Sequence, residues 1–362
     1  MSEHVAIVGG GIVGCMTAMA LVERGCRVTI IERNQIASQT SGESSWAGGG
    51  IIFPLLPWMY AEAVNQLTGY GARSYQQICQ RLERETGLPT GFIQSGFLLR
   101  PPYDQTAAIR WCEQHQQRYE LLNQVDTLLA PQQSNQPSLW MPEVSQVRPP
   151  YLMKALRQWL AQNNVTMLEH TELSPLNEVK ALTAWKTLDG TAIEADKFVV
   201  TSGAWSFQLL KSVADKLDIK PMRGQILLYQ PEKNLNKIVY QDGFYMIPRD
   251  DGQLLAGSTL EDVGFDTSVT EAVKAELAAK AEAIMPALKG LPIIKHWSGL
   301  RPGTPENLPT ISAHPQIENL YLNTGHFRYG LTMAPASARL VTELMAGEKP
   351  FIDASPFALA ID

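Results

Sequence analysis

Hydrophobic positions along the chain follow two rhythms, and their alternation sets the expected order of elements. Val5–Val8 is an unbroken apolar run, a helix-length amphipathic stretch follows Gly11, and Val28–Ile31 is a second run rich in β-branched residues. This β–α–β succession is the unit from which parallel sheets are built. Val64, Leu67, Tyr75, Ile78 and Leu82 recur near helical spacing and predict a helix over 62–86. Further helices are expected at about 104–118, at 151–163, at about 270–285, and from beyond His326 to about Met345. Phe92–Arg100, Val165–Leu168, Lys197–Val200 and Leu320–Asn323 read as strands. Leu182–Thr187 and Thr191–Glu194 read as a hairpin turning at Asp189-Gly190. From 223 onward, Gln225–Gln230, Ile238–Tyr240, Phe244–Pro248 and Gln253–Ser258 alternate, with turns at Asp242-Gly243 and Asp251-Gly252, and Ile293–Gly299 is strand-like. That pattern predicts an antiparallel sheet.

Parallel-sheet units therefore open, interrupt and close the chain, with antiparallel material between them. The expected fold class is α/β plus antiparallel β. A nucleotide domain is assembled from 1–85, 146–215 and 301–362, and a domain built on an antiparallel sheet is inserted as 86–145 and 216–300.

The first unit carries chemistry in its turn. Gly9-x-Gly11-x-x-Gly14 lies directly between strand and helix, and Glu32 closes the second run, 18 residues past Gly14. Gly9 makes the tight turn, Gly11 lets the backbone approach a pyrophosphate, and Gly14 lets the helix lie close to the strand. The pyrophosphate then rests on the helix N-terminus, where N–H groups and the helix dipole favour negative charge. Glu32 accepts hydrogen bonds from ribose hydroxyls and repels a 2′-phosphate, which argues against NADP. The segment predicts an adenine dinucleotide and by itself leaves NAD and FAD open.

Composition narrows the class. The 362 residues suffice for two domains, and 45% hydrophobic with 18% charged residues is the make-up of a soluble globular protein. A net charge of −6 without a basic cluster gives no reason to expect nucleic-acid binding. No apolar stretch approaches the roughly 18 residues of a spanning helix. Met1-Ser2-Glu3-His4 lacks the basic start of a signal peptide. Cys15, Cys26, Cys79 and Cys112 show no CxxC spacing, so reduced thiols and a cytoplasmic location are expected. No metal-ligand spacing and no Ser-His-Asp arrangement stands out, and no metal is expected. Oligomeric state stays open.

Two arginines matter most. Arg301 and Arg328 sit in glycine-rich, nearly apolar contexts, Gly299–Gly303 and Gly325–Gly330. An arginine so placed pairs either with a buried acid or with a ligand anion, because burying it unpaired is costly. Its guanidinium fork suits a carboxylate. Arg249 and Arg223 read as structural, and His296 and Trp297 as packing. His326 reads as serving a ligand through its backbone, with a catalytic base as the alternative.

A series of segments in chain order carries a resemblance. These are GGGIVG with Glu32, Ser44–Gly50 (SSWAGGG), Glu169-His170-Thr171, Val199–Ser206, Met222–Gln225, Phe244–Arg249, Gly257–Thr259, Trp297–Pro309 and Thr324–Gly330. The chain resembles the D-amino-acid-oxidase superfamily of FAD enzymes, and within it is similar to the glycine oxidase group associated with thiamine synthesis. The resemblance implies FAD, held in a glutathione-reductase-type Rossmann domain with an inserted substrate domain. The implied cofactor residues are Gly9, Gly11, Ile12, Val13, Gly14, Glu32, Arg33, Ser44, Ser45, Gly48, Gly49, Gly50, Leu173 and Gly203. His326, Phe327, Arg328, Tyr329, Gly330, Leu331 and Thr332 join them at the last strand-to-helix turn. Three consecutive glycines at 48–50 agree, since they let backbone approach a flat ring. N–H groups around Gly325–Leu331 agree too, since they suit a reduced, anionic flavin.

The same resemblance assigns Arg301 and Tyr245 to the substrate carboxylate and Arg328 to the same pocket. It implies hydride transfer from the α-carbon of a small amino acid or amine (glycine, sarcosine or a D-amino acid) to flavin N5. The imine then hydrolyses to a keto acid and ammonia, with hydrogen peroxide if oxygen is the acceptor. Gly50, Leu260 and Tyr329 depart from the group, which has a bulky residue, a methionine and a small polar residue there. They imply a more open pocket, suited to larger D-amino acids or N-methylated amines. A D-amino-acid dehydrogenase passing electrons to a quinone and a non-catalytic flavoprotein are the alternatives. Retention of both arginines and Tyr245 argues against the last.

Overall fold

The computed structural model describes residues 2–123, 126–177 and 179–360. Two sheets organise them. The first has six strands in the spatial order Thr310–Ala313, Leu320–Thr324, Lys197–Val200, His4–Val8, Arg27–Ile31 and Thr166–Leu168. All neighbours pair in parallel except Thr310–Ala313, which pairs antiparallel with Leu320–Thr324. His4–Val8 is central and buried throughout, which explains its unbroken apolar run. Val8 is in register with both Ile31 and Val200, so the strands end together at Gly9, Glu32 and Thr201. Ligands of open parallel sheets bind at such carboxyl ends.

Helix Ile12–Glu23 differs from its amphipathic expectation. Eight of its twelve residues are buried, because helices Gly330–Met345 and Pro149–Gln162 cover the side away from the sheet. Its first eleven residues carry no charge, and an uncharged helix tolerates such burial. Helix Glu62–Thr86 forms where expected and crosses Gly330–Met345 at Gly71, where any side chain would overlap the Thr332 carbonyl.

The second sheet has eight strands in the order Lys295–Gly303, Lys220–Tyr229, Leu254–Gly257, Phe244–Pro248, Ile238–Gln241, Phe97–Leu99, Ser138–Met141 and Glu120–Leu122. It is antiparallel except where Ile238–Gln241 runs parallel to Phe97–Leu99. That exception was not expected from the turn pattern. It joins two chain segments far apart in sequence, so no hairpin dictates its direction. Ser138–Met141 directly follows the Pro- and Gln-rich stretch 131–137, and Leu139 and Met141 bury their side chains there. The helix expected at 104–118 is shorter, Gln105–Gln114, and the strand expected at 92–100 is only Phe97–Leu99. Two other strands are longer than expected. Lys220–Tyr229 and Lys295–Gly303 form one extended pair, which places Arg301 inside a strand opposite Met222.

Alternation along the second sheet separates two faces. Leu98, Val239, Met246 and Ala256 pack toward helix Glu271–Ile284, whereas Phe97, Leu99, Tyr240, Tyr245 and Ile247 cluster with Phe53. Tyr245 is thus delivered by strand period alone to the face turned toward the Gly48–Gly50 turn. Among the described residues no helix is long and apolar enough to cross a membrane.

Candidate active site

A cavity of about 900 Å³ opens at the carboxyl ends of the first sheet and extends to the second. Gly9, Glu32 and Thr201 line one end, and Tyr240, Tyr245 and Arg301 the other.

At the nucleotide end, Gly9 has φ +117°, and a Cβ there would sit 2.8 Å from the Thr201 carbonyl oxygen. The Thr201 hydroxyl donates to the Gly9 carbonyl at 2.9 Å, so the turn is closed from the neighbouring strand. Gly14 does not line the cavity. A Cβ on it would overlap the Gly9 carbonyl, so it serves close packing of helix on strand. Gly11 caps the helix without a side-chain acceptor, and Ile12 N–H donates to Ser45 Oγ at 2.9 Å. Ser45 and Ser44 lie in a short helix, Ser44–Ala47. Glu32 accepts from Gly10 N–H at 2.8 Å and from Asn34 N–H at 3.0 Å. Burial pushes its carboxyl above the usual carboxylate range, and the two N–H groups hold it down. Each carboxylate oxygen keeps a further acceptor site for a ligand. The Arg33 guanidinium stacks 4.0 Å from the Trp205 ring centroid, on the cavity wall with Val13 and Gly203. Leu173 also lines the wall. Ladder bonds beside it are made by Ser174 N–H and the Glu172 carbonyl, so its own backbone groups are not spent on them.

The Gly48–Gly50 turn joins the two ends. A Cβ on Gly49 would lie 2.8 Å from Ile247 Cδ1 and 3.3 Å from the Tyr245 ring. Gly50 has φ +82°, and a Cβ there would overlap the Val147 carbonyl. Glycine at 50 is therefore a backbone requirement and does not open the pocket, contrary to the expectation. Tyr329 narrows it further: its hydroxyl bonds the Tyr60 hydroxyl at 2.7 Å, and the two rings meet edge to face. Only Leu260 stays exposed, on the rim.

His326, Phe327, Arg328, Tyr329, Gly330 and Leu331 line the cavity at the strand-to-helix turn. Thr332 does not. Its hydroxyl donates to the Ile51 carbonyl at 3.2 Å and its carbonyl faces Gly71, because one more residue of helix rotates it into the helix crossing. Three buried atoms on the wall, His326 Nε2, Asn307 Oδ1 and Asn323 Oδ1, have no protein partner. Buried polar atoms are rarely left so unless a ligand or water meets them. Burial pushes His326 down to about 3, so the ring is neutral. Its ring proton resonances are expected not to titrate over pH ~5–8, where ordinary histidines do. A midpoint in that window, measured by NMR, would contradict this burial.

At the other end, Arg301 donates to Ser258 Oγ at 2.9 Å and to the Thr259 carbonyl at 3.2 Å. Among the described residues no carboxylate pairs with it, whereas Arg223 meets Glu261 at 2.7 Å and Asp266 at 2.6 Å. The internal salt bridge considered for Arg301 is absent among those residues, whereas Arg223, read as structural, is held by two acids. Burial lowers the Arg301 guanidinium from its ordinary range; Tyr245 beside it opposes this and Arg328 adds to it. Arg328 is exposed on the same wall. Gly224 makes room for Arg301, since a Cβ on it would overlap the guanidinium.

Sequence reasoning singled out Arg301 but not the groups that aim it. Gly224, Ser258 and Thr259 appeared only inside matching segments, with no role. Asn307 also lay in such a segment and Asn323 ended a predicted strand, likewise with no role, and Tyr60 was given none; no local signal marks them.

Comparisons with known proteins agree with this geometry. A family model described as FAD dependent oxidoreductase matches residues 4–344. Glycine oxidase of Pseudomonas aeruginosa is 39% identical over 366 residues, covering 99% of each chain. Glycine oxidase of Pseudomonas putida is 36% identical, over 99% of this chain and 98% of the other. The crystal structure of glycine oxidase from Bacillus cereus superposes with a TM-score of 0.87 at 25% identity, over 100% of this chain and 99% of that one. FAD is the cofactor of this family. The residues present fit it: a glycine-lined helix N-terminus, an acid at the strand end, and unpartnered polar atoms along the wall. The family match spans every strand of both sheets, and the chain belongs to the FAD-dependent oxidoreductase family.

Proposed function

We propose that the chain catalyses oxidative deamination of a small amino acid or amine (glycine, sarcosine or a D-amino acid) to an imine that hydrolyses to an oxo acid and ammonia, or methylamine where sarcosine is the substrate. The observation that carries this reading is Arg301: a guanidinium on the cavity wall, beside Tyr245, with no acid among the described residues to neutralise it. FAD, when bound, supplies the hydride acceptor. Gly9, Gly11, Ile12, Val13, Glu32, Arg33, Ser44, Ser45, Gly48–Gly50, Leu173, Gly203 and His326–Leu331 would hold it.

The fork of Arg301 and the Tyr245 hydroxyl bind the substrate carboxylate and so fix the orientation of Cα. Arg328 adds positive charge nearby. Two guanidinium groups disfavour an ammonium beside them, which helps the amine reach the neutral form needed for hydride loss. His326 is neutral and unsuited to accept a proton, so the site works by positioning and by excluding water. Phe53, Leu55 and the Tyr60–Tyr329 pair supply apolar walls.

The electron acceptor is oxygen, with a quinone as the alternative. Oxygen uptake coupled to peroxide separates the two. The proposed location is the cytoplasm, in keeping with four free cysteines. The proposed domain division is a cofactor domain of 1–85, 146–215 and 301–362, with 86–145 and 216–300 as the substrate domain.

Anaerobic addition of glycine, sarcosine and a panel of D-amino acids to the purified, FAD-loaded protein tests the proposal. Bleaching of the flavin absorption by at least one is expected. An intact flavin spectrum with every member defeats it. Gly224→Ala is expected to lower kcat/KM for that substrate by roughly 10-fold or more, about 1.4 kcal/mol, by displacing the Arg301 fork while FAD content stays normal. Parental kinetics in this variant would show that Arg301 need not lie where Gly224 lets it.

A further inference from the structure

Arg249, like Arg301, is an arginine that no acid pairs with among the described residues. It is 7% exposed and does not line the cavity. Its guanidinium donates to the Gly49 carbonyl at 2.7 Å, to the Val147 carbonyl at 3.1 Å and to Gln146 Oε1 at 2.5 Å. The nearby Asp251 pairs with Arg148 instead. Burial lowers Arg249 to about 10, with Arg148 acting in the same direction. A charge is therefore kept in the interior by carbonyl and amide oxygens alone, an expensive arrangement that carbonyl-to-carbonyl packing would not require.

What it joins gives the arrangement a use. Arg249 directly follows the strand Phe244–Pro248 that carries Tyr245. Gly49 belongs to the turn against which the Tyr245 ring packs. Gly50 is tied to the same place, since Val147 N–H donates to the Gly50 carbonyl at 2.9 Å. Gln146, in turn, donates to Ser95 Oγ and to the Pro248 carbonyl, which returns the network to the Tyr245 strand.

We propose that Arg249 is a positioning residue that clamps the Gly48–Gly50 turn to the Tyr245 strand, so that the cofactor-facing turn and the carboxylate-binding tyrosine are held as one unit. The inference rests on Tyr245 binding the substrate carboxylate. Arg249→Lys keeps the buried charge and loses the fork. The turn then moves relative to the strand, and Tyr245 no longer meets the carboxylate that Arg301 holds.

The test uses the FAD-loaded protein and acetate, an unreactive carboxylate, titrated through the flavin difference spectrum. Arg249→Lys is expected to raise the acetate Kd by roughly 10-fold, the scale of one lost charged hydrogen bond. In a Tyr245→Phe background the same change is expected to have less than about a 3-fold effect, because interacting residues are not additive. An unchanged Kd, or an equal factor in both backgrounds, overturns the inference and leaves Arg249 a fold-stabilising residue. Should Arg249→Lys not fold, Gln146→Leu removes one of the three acceptors, and the same cycle with Tyr245→Phe decides. If Tyr245→Phe alone leaves acetate binding unchanged, the carboxylate assignment itself fails. If Tyr245→Phe weakens acetate and Arg249→Lys does not, only the clamp fails.

Discussion

Arg301→Lys is expected to lower kcat/KM for any amino-acid substrate by roughly 10²-fold or more, since about 3 kcal/mol is at stake in a desolvated charged pair. Lysine keeps the charge but is a point donor, whereas the guanidinium presents a planar fork. The structure adds a reason for the size of the effect. Ser258 Oγ and the Thr259 carbonyl each take an Arg301 N–H, and Gly224 leaves the space in which the guanidinium lies. An ammonium on a shorter reach satisfies neither acceptor in that geometry. FAD content should stay near normal. A simple amine without a carboxylate, if it reacts, should lose far less, because it never uses the fork. Amino-acid kinetics equal to the parent's, or loss of flavin with unfolding, would make Arg301 a structural residue.

Glu32→Ala is expected to weaken FAD binding by about 1.5–3 kcal/mol, the cost of losing hydrogen bonds to a charged group. Two causes act together. The ribose hydroxyls lose their acceptor, and the N–H groups of Gly10 and Asn34 lose theirs. Glu32→Gln separates the causes, since an amide oxygen of the same shape still accepts from one N–H but carries no charge. Its FAD affinity should fall between parent and alanine variant. Fluorescence titration of apoprotein with FAD gives both constants, and an alanine variant with parental affinity would remove Glu32 from the site.

Much of the site is legible along the chain because its chemistry is local. Gly9, Gly11, Gly14 and Glu32 lie within one β–α–β unit, and their spacing is set by helix and strand geometry rather than by distant partners. The antiparallel strands from Phe244 to Gly257 follow from alternation and Gly-containing turns in the same way. Thr332 shows the limit of extending a motif by one residue. Helical rotation carries it from the cavity wall to the crossing with Gly71.

Tertiary structure decided everything that joins distant segments. In the sequence, ion pair and ligand were both open for Arg301, and Arg223 read only as structural. Only the fold shows Arg301 without a described acid and Arg223 with two. The parallel pairing of Ile238–Gln241 with Phe97–Leu99 depends on how two segments about 140 residues apart meet, and neither carries a direction signal. Gly50 reads as a lost side chain in sequence and as a close approach to Val147 in space. By itself the sequence determined the dinucleotide turn, the order of elements and the presence of residue types suited to a carboxylate, because those follow from local periodicity and side-chain chemistry. The structure alone decided that no described acid pairs with Arg301, which glycines make room, and that Arg249 spans from the Tyr245 strand to the Gly49 turn, because each depends on the packing of residues far apart in the chain.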